Sequence, residues 1–148
     1  SRPGWVHATK ASVNLKNLPS KRKAFDFTPS LLHPSNMFPY TALADEKEWH
    51  VGPYEGVELK VLRKDETTGG VTVLRKFHAG TTIPSHIHPE ANETAYVLSG
   101  EWEENGTVYT EGTMFYAARG EAHGPHVART EVISLTVFDG PLTVNSVD

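Results

Sequence analysis

With 148 residues, a net charge of −4 and no cysteine, the chain has room for one domain with a sizeable core but forms no disulfide and offers no thiolate to a metal. The acidic balance, without a concentrated basic face, argues against a nucleic-acid partner, and no apolar run approaches the roughly 20 residues of a membrane-spanning helix. Twelve glycines and ten prolines, with no sustained helical period in the apolar residues, predict an all-β domain of short strands and turns.

Residues 1–44 differ in texture from the remainder of the chain. A basic group, Lys16, Lys21, Arg22 and Lys23, precedes Phe25, Phe27, Leu31, Leu32, Met37 and Phe38, and Pro29, Pro34 and Pro39 interrupt the apolar residues. Such residues cannot bury themselves locally, so the segment is expected to be an extended N-terminal arm packed on the domain or across a homodimer interface. The basic group is expected to be a solvated surface.

Residues 45–148 form the expected β domain. Strand-like runs are predicted at 48–51, 57–63, 71–78, 84–88, 93–99, 101–104, 107–110, 113–117, 124–128 and 131–138. Asn105-Gly106 is the strongest hairpin signal, because a type I′ turn needs positive φ at both central residues. Thr68-Gly69-Gly70 marks a second turn, and Trp102 and Tyr109 are expected to face each other across the first hairpin. With no internal repeat, one small antiparallel barrel or jelly roll is expected.

The chemistry concentrates between Gly80 and Gly100. His86 and His88, two apart on a strand, leave the same face about 7 Å apart, so both imidazoles can reach one ion at about 2.1 Å. Pro89, Ala91 and Asn92 turn the chain, and Glu93 opens a run that is expected to pair with the histidine strand and bring its carboxylate back. His123, after a strand and a Gly-containing turn, is the fourth candidate. In phase with Glu93, Ala95 and Val97 should point inward and Tyr96 and Leu98 outward. Met114 and Tyr116, or their neighbour Phe115, are expected to form the opposite wall. His126 falls out of phase and is expected beside the ligands or at the surface, Arg119 and Glu121 in the turn before His123 are expected to be solvated, and His7, His33, His50 and His78 lack partners at ligand spacing.

These two segments resemble the paired motifs of the cupin superfamily. Gly80, His86, His88, Glu93 and Gly100 meet the first motif without substitution, and Gly112, Gly120 and His123 meet the second, in which Ala118 and Val127 stand where proline and asparagine are usual. Gly56 to Arg63, Gly69 to Phe77 and the run Phe138-Asp-Gly-Pro-Leu are similar to the cupins that group with dihydroxyacetophenone and acetylacetone dioxygenases and with the zinc-binding cupin half of an anti-sigma factor. The resemblance implies one divalent transition metal on His86, His88, Glu93 and His123, with Fe(II) favoured over Zn, Mn, Ni or Co, and Glu93 as the catalytic carboxylate. It implies a dioxygenase cleaving a carbon–carbon bond in a small diketone, hydroxyketone or aromatic substrate. The alternatives are a non-catalytic metal or ligand sensor and a metal-dependent isomerase. A cytoplasmic protein is the expectation, although the start Ser-Arg-Pro-Gly-Trp leaves room for an upstream segment.

Overall fold

A computed structural model describes residues 38–147. After one 3₁₀ turn at Ala44–Glu46, these residues form twelve strands. They are β1 (His50–Val51), β2 (Val57–Lys64), β3 (Val71–Phe77), β4 (Thr82–Ile83), β5 (His86–Ile87), β6 (Glu93–Ser99), β7 (Trp102–Glu104), β8 (Thr107–Tyr109), β9 (Met114–Ala117), β10 (His126–Ala128), β11 (Val132–Phe138) and β12 (Asn145–Ser146). Every pairing among them is antiparallel. The first sheet runs β1-β2-β3-β11-β6-β9, the second β4-β10-β7-β8, and β12 pairs with β5. The all-β antiparallel expectation is met. No helix among the described residues is long and apolar enough to cross a membrane.

Period-two patterning closes the sheets on each other. In β6, Glu93, Ala95 and Val97 are buried while Thr94, Tyr96 and Leu98 are exposed, and in β11 Val132, Ser134, Thr136 and Phe138 point inward. The main core joins Val57, Phe77, Val97 and Val132 of the first sheet to Ile83, Trp102 and Ala128 of the second. Each of these larger side chains contributes about 1.5–3 kcal/mol by leaving water. Trp102 meets Phe77 edge-on, with ring centroids 4.4 Å apart, and pairs with Tyr109 across the β7–β8 hairpin as expected. That hairpin turns through Asn105 (φ 50°) and Gly106 (φ 76°), the positive values a type I′ turn requires.

Three expectations are corrected. The strand predicted over 84–88 shortens to β5, and Pro84, which has no N–H to give a ladder, separates it from the unpredicted β4, so that β4 joins β10 while β5 joins β12. β6 does not pair with the histidine strand, because it lies between β11 and β9. The β9 residues expected on the wall opposite β6 lie beside it in the same sheet, where Phe115 packs against the core and Met114 and Tyr116 are exposed. Of the arm expected over 1–44, residues 1–37 lie outside the described residues. Further on, Phe38 and Leu43 are exposed, and the Tyr40 hydroxyl donates to the Leu62 carbonyl.

Candidate metal centre

The two histidine segments are zipped together by backbone. His86 N–H donates to the His123 carbonyl and His123 N–H to the His86 carbonyl, each at 3.0 Å, which holds the two rings 4.3 Å apart. The Gly120 N–H donates to the His88 carbonyl at 2.9 Å and anchors the residue that follows β5. Glu93 reaches the same point from the first sheet, on the inward phase of β6. One donor atom from each of His86, His88, Glu93 and His123 lies within 4.8 Å of all the others. All four sequence candidates are therefore brought together, although the carboxylate arrives across the barrel and not by the local hairpin expected.

The tautomers follow from the backbone. Nδ1 of His86 lies 2.8 Å from the Pro84 carbonyl, Nδ1 of His88 lies 2.9 Å from the Thr143 carbonyl, and Nδ1 of His123 lies 3.2 Å from the Glu121 carbonyl. A carbonyl oxygen only accepts, so each Nδ1 carries the hydrogen and each neutral ring turns a bare Nε2 lone pair inward. There His88 Nε2 stands 2.9 Å and His123 Nε2 3.2 Å from Glu93 Oε2. His88 Nε2 and Glu93 Oε2 are buried with no hydrogen-bond partner despite that proximity. Lone pairs facing one another repel unless a cation sits between them. Donors about 2.1 Å from a common ion and at right angles are about 3 Å apart, which matches these spacings. The donor set fits a metal.

Charge is balanced with care. Burial alone pushes the Glu93 pKa up, but the Arg75 charge and the His123 and His88 imidazoles outweigh it and hold the carboxyl well below its usual range. Burial lowers the His86 pKa. At His123 burial also acts downward, but contact with the Glu93 carboxylate prevails and raises the pKa. His126, which does not join the four donors, is buried against Trp102, its Nδ1 3.2 Å from Glu104 Oε2 but off the axis of a hydrogen bond. Burial, followed by the charges of His123 and His86, pushes its pKa down to about 3.

A cavity of about 170 Å³ opens beside the donors, walled by Tyr54, Leu59, Phe77, Ala95, Phe115 and Leu142 among others. For scale, an apolar cavity of roughly 150 Å³ accepts benzene. Arg119 and Glu121 stay outside it: the Arg119 N–H donates to Asn92 Oδ1 and Glu121 accepts from the Ala118 N–H. Sequence reasoning missed Arg75, Tyr54 and Glu104. A signal for Arg75 was present, since a charged residue occupies the inward phase of β3 between Val73 and Phe77.

The family model of the ChrR cupin-like domain matches residues 40–143. The chain belongs to this cupin family. Among solved structures, this cupin is similar to an acetylacetone dioxygenase from Acinetobacter johnsonii, with a TM-score of 0.59 and 21% identity over 74% of this chain and 77% of that one. It is also similar to a Rhodobacter sphaeroides structure of SigE in complex with the anti-sigma ChrR, with a TM-score of 0.53 and 22% identity over 66% of this chain and 52% of that one. At these identities the likeness shows the fold. In sequence, it is 38% identical to germin-like protein 9-1 of Oryza sativa subsp. japonica over 39% of this chain. The aligned part spans 28% of the rice protein's length.

Proposed function

We propose that this cupin holds one divalent transition ion per chain through Nε2 of His86, His88 and His123 and Oε2 of Glu93, and that it is an Fe(II)-dependent dioxygenase cleaving a carbon–carbon bond in a small diketone, hydroxyketone or aromatic substrate. The observation that carries the reading is the convergence of these four residues' donors, with each imidazole Nδ1 against a backbone carbonyl, at the edge of a small, largely apolar cavity. A bound ion supplies Lewis acidity and, as Fe(II), one-electron chemistry toward O₂. The protein's own part is positional. Three backbone carbonyls orient the imidazoles, Arg75 retains the carboxylate, and Phe77, Phe115 and Leu142 exclude water and favour the apolar arms of a substrate whose oxygens face the donors. Glu93 is the catalytic carboxylate on this reading, residues 45–148 are the catalytic domain, and the protein works in the cytoplasm. A homodimer is part of the proposal. Its support is the apolar stripe on the outer face, where exposed Tyr96 pairs with exposed Met114 beside Tyr116 and Leu98, and sedimentation equilibrium tests it.

Protein loaded anaerobically with Fe(II) is expected to bind a 1,3-diketone, a hydroxyketone or a catechol with a change in absorption and then consume O₂ in an oxygen electrode. Binding without oxygen uptake across all three ligand classes defeats the dioxygenase reading. That outcome favours a non-catalytic metal or ligand sensor, a reading supported by the family's own description as the cupin-like domain of ChrR.

A further inference from the structure

Arg75 is an unusual residue to find inside a barrel. It lies on the inward phase of β3 with its side chain 15% exposed, and a buried guanidinium is tolerated only where partners replace its water. Here Glu93, Ser134 and two aromatic rings do so. Nη2 donates to Glu93 Oε1 at 2.6 Å, and Nε donates to Ser134 Oγ at 3.3 Å. Ser134 Oγ in turn lies 3.1 Å from Thr136 Oγ1. The guanidinium carbon lies 5.3 Å from the Phe77 ring and 5.6 Å from the Phe138 ring, within the range of a cation–π contact. The arginine is thus fixed by β11 and by two aromatic rings before it touches the carboxylate.

Resting on the metal reading above, we propose that Arg75 is a positioning residue that restricts Glu93 to ligation through Oε2 alone and keeps it from leaving. Oε1 is occupied by a charge-assisted hydrogen bond of the short, strong kind, whereas Oε2 is buried without a partner. The two oxygens of one carboxylate are therefore given different tasks by the fold. The consequence is a count of positions. Three imidazole nitrogens and one oxygen use four sites on a six-coordinate ion and leave two for a chelating ligand, while a two-oxygen Glu93 leaves one and admits only a single donor. Arg75 sets the class of ligand the centre accepts. Its positive charge beside the site also favours a chelate that binds as an anion, such as the enolate of a 1,3-diketone.

The test uses the full chain loaded with Co(II), with 2,4-pentanedione as the chelating probe, and compares wild type with Arg75→Met, Arg75→Lys and Ser134→Ala. The readouts are Co(II) stoichiometry, the Co(II) absorption spectrum, the splitting of the Glu93 carboxylate stretches in difference infrared spectra against Glu93→Gln, and the dissociation constant of the probe. Wild type is expected to show the wide splitting of a one-oxygen carboxylate. Arg75→Met is expected to retain Co(II) with affinity lowered about 10- to 100-fold, to narrow the splitting, and to weaken the probe by about tenfold or more. Arg75→Lys, a point charge without the fork, and Ser134→Ala should fall between the two, and they carry the test if Arg75→Met does not fold. Unchanged splitting and unchanged probe affinity in the variants that fold overturn the proposal while leaving the metal site standing. A wild type that binds no Co(II) overturns the metal reading and this proposal with it.

Discussion

Nδ1 of His88 lies 2.9 Å from the carbonyl oxygen of Thr143, 55 residues further along the chain. The contact carries no side-chain identity on the Thr143 side, yet it decides which ring nitrogen of His88 keeps its hydrogen. It also ties the centre to the segment that leads into β12, which pairs with β5 through Asn145 and Ser146. A chain ended after Leu142 therefore loses both the carbonyl and the strand that flanks His86. Its metal affinity is expected to fall about 10- to 100-fold, the usual effect of removing a partner behind a ligand, while the main core between the two large sheets persists. Metal titration alongside near-ultraviolet circular dichroism checks this, and undiminished affinity contradicts the role assigned to the Thr143 carbonyl.

The pH dependence of the metal-free chain should carry the mark of His126. Its pKa in the folded protein is about 3, against about 6.5 when unfolded. Between those values the unfolded chain binds more protons, so stability rises with pH across this window and is lost as pH falls from about 6.5 toward 3. His126→Gln is expected to flatten that acid limb in urea melts of the metal-free protein. Metal retention depends on a different group. The raised pKa of His123 helps protons compete for its Nε2, so the apparent metal affinity should fall as pH drops through the histidine range near about 6.5. An apparent affinity that stays constant across that range counts against His123 as a donor.

Ala95 separates ion binding from ligand binding. It sits two residues past Glu93 on the inward phase of β6, is 2% exposed, and lines the cavity. Ala95→Leu adds three carbons into that space, at a cost of about 1–3 kcal/mol for overpacking. Co(II) stoichiometry is expected to stay at that of the wild type while 2,4-pentanedione binding falls at least tenfold. Equal loss of both would mean that the cavity and the donors are one mechanical unit.

Gly100 illustrates a motif glycine kept for the backbone and not for chemistry. Its φ is +93°, and a Cβ there would stand 2.1 Å from the Glu131 carbonyl oxygen and 2.9 Å from the Val132 Cα. Neither atom can move without shifting the start of β11. Gly100→Ala is expected to destabilise the metal-free fold by about 3 kcal/mol or more, with metal affinity changed little in the fraction that folds. A denaturant midpoint equal to that of the wild type defeats the clash argument.

What sequence alone determines here is local. His86 and His88 two residues apart, Glu93 at the start of the next run and His123 after a Gly-containing turn are legible because strand period and turn chemistry act over a few residues. The same holds for the Asn105-Gly106 hairpin and for the inward phase of Ala95 and Val97. Tertiary structure alone decides what surrounds these groups. Sequence patterning suggests that β6 pairs with the histidine strand, but period two specifies a face and not a neighbour, and the tie of His86 to His123 and the pairing of β6 with β11 and β9 come from long-range register. The carbonyls of Pro84, Thr143 and Glu121, which set the three tautomers, belong to the main chain and leave no trace in residue type. In the sequence Arg75 is visible only as a charge in an apolar phase. Its meaning appears once folding has placed Glu93, Ser134, Phe77 and Phe138 around it, because a buried charge is defined by its partners and those partners come from three different strands.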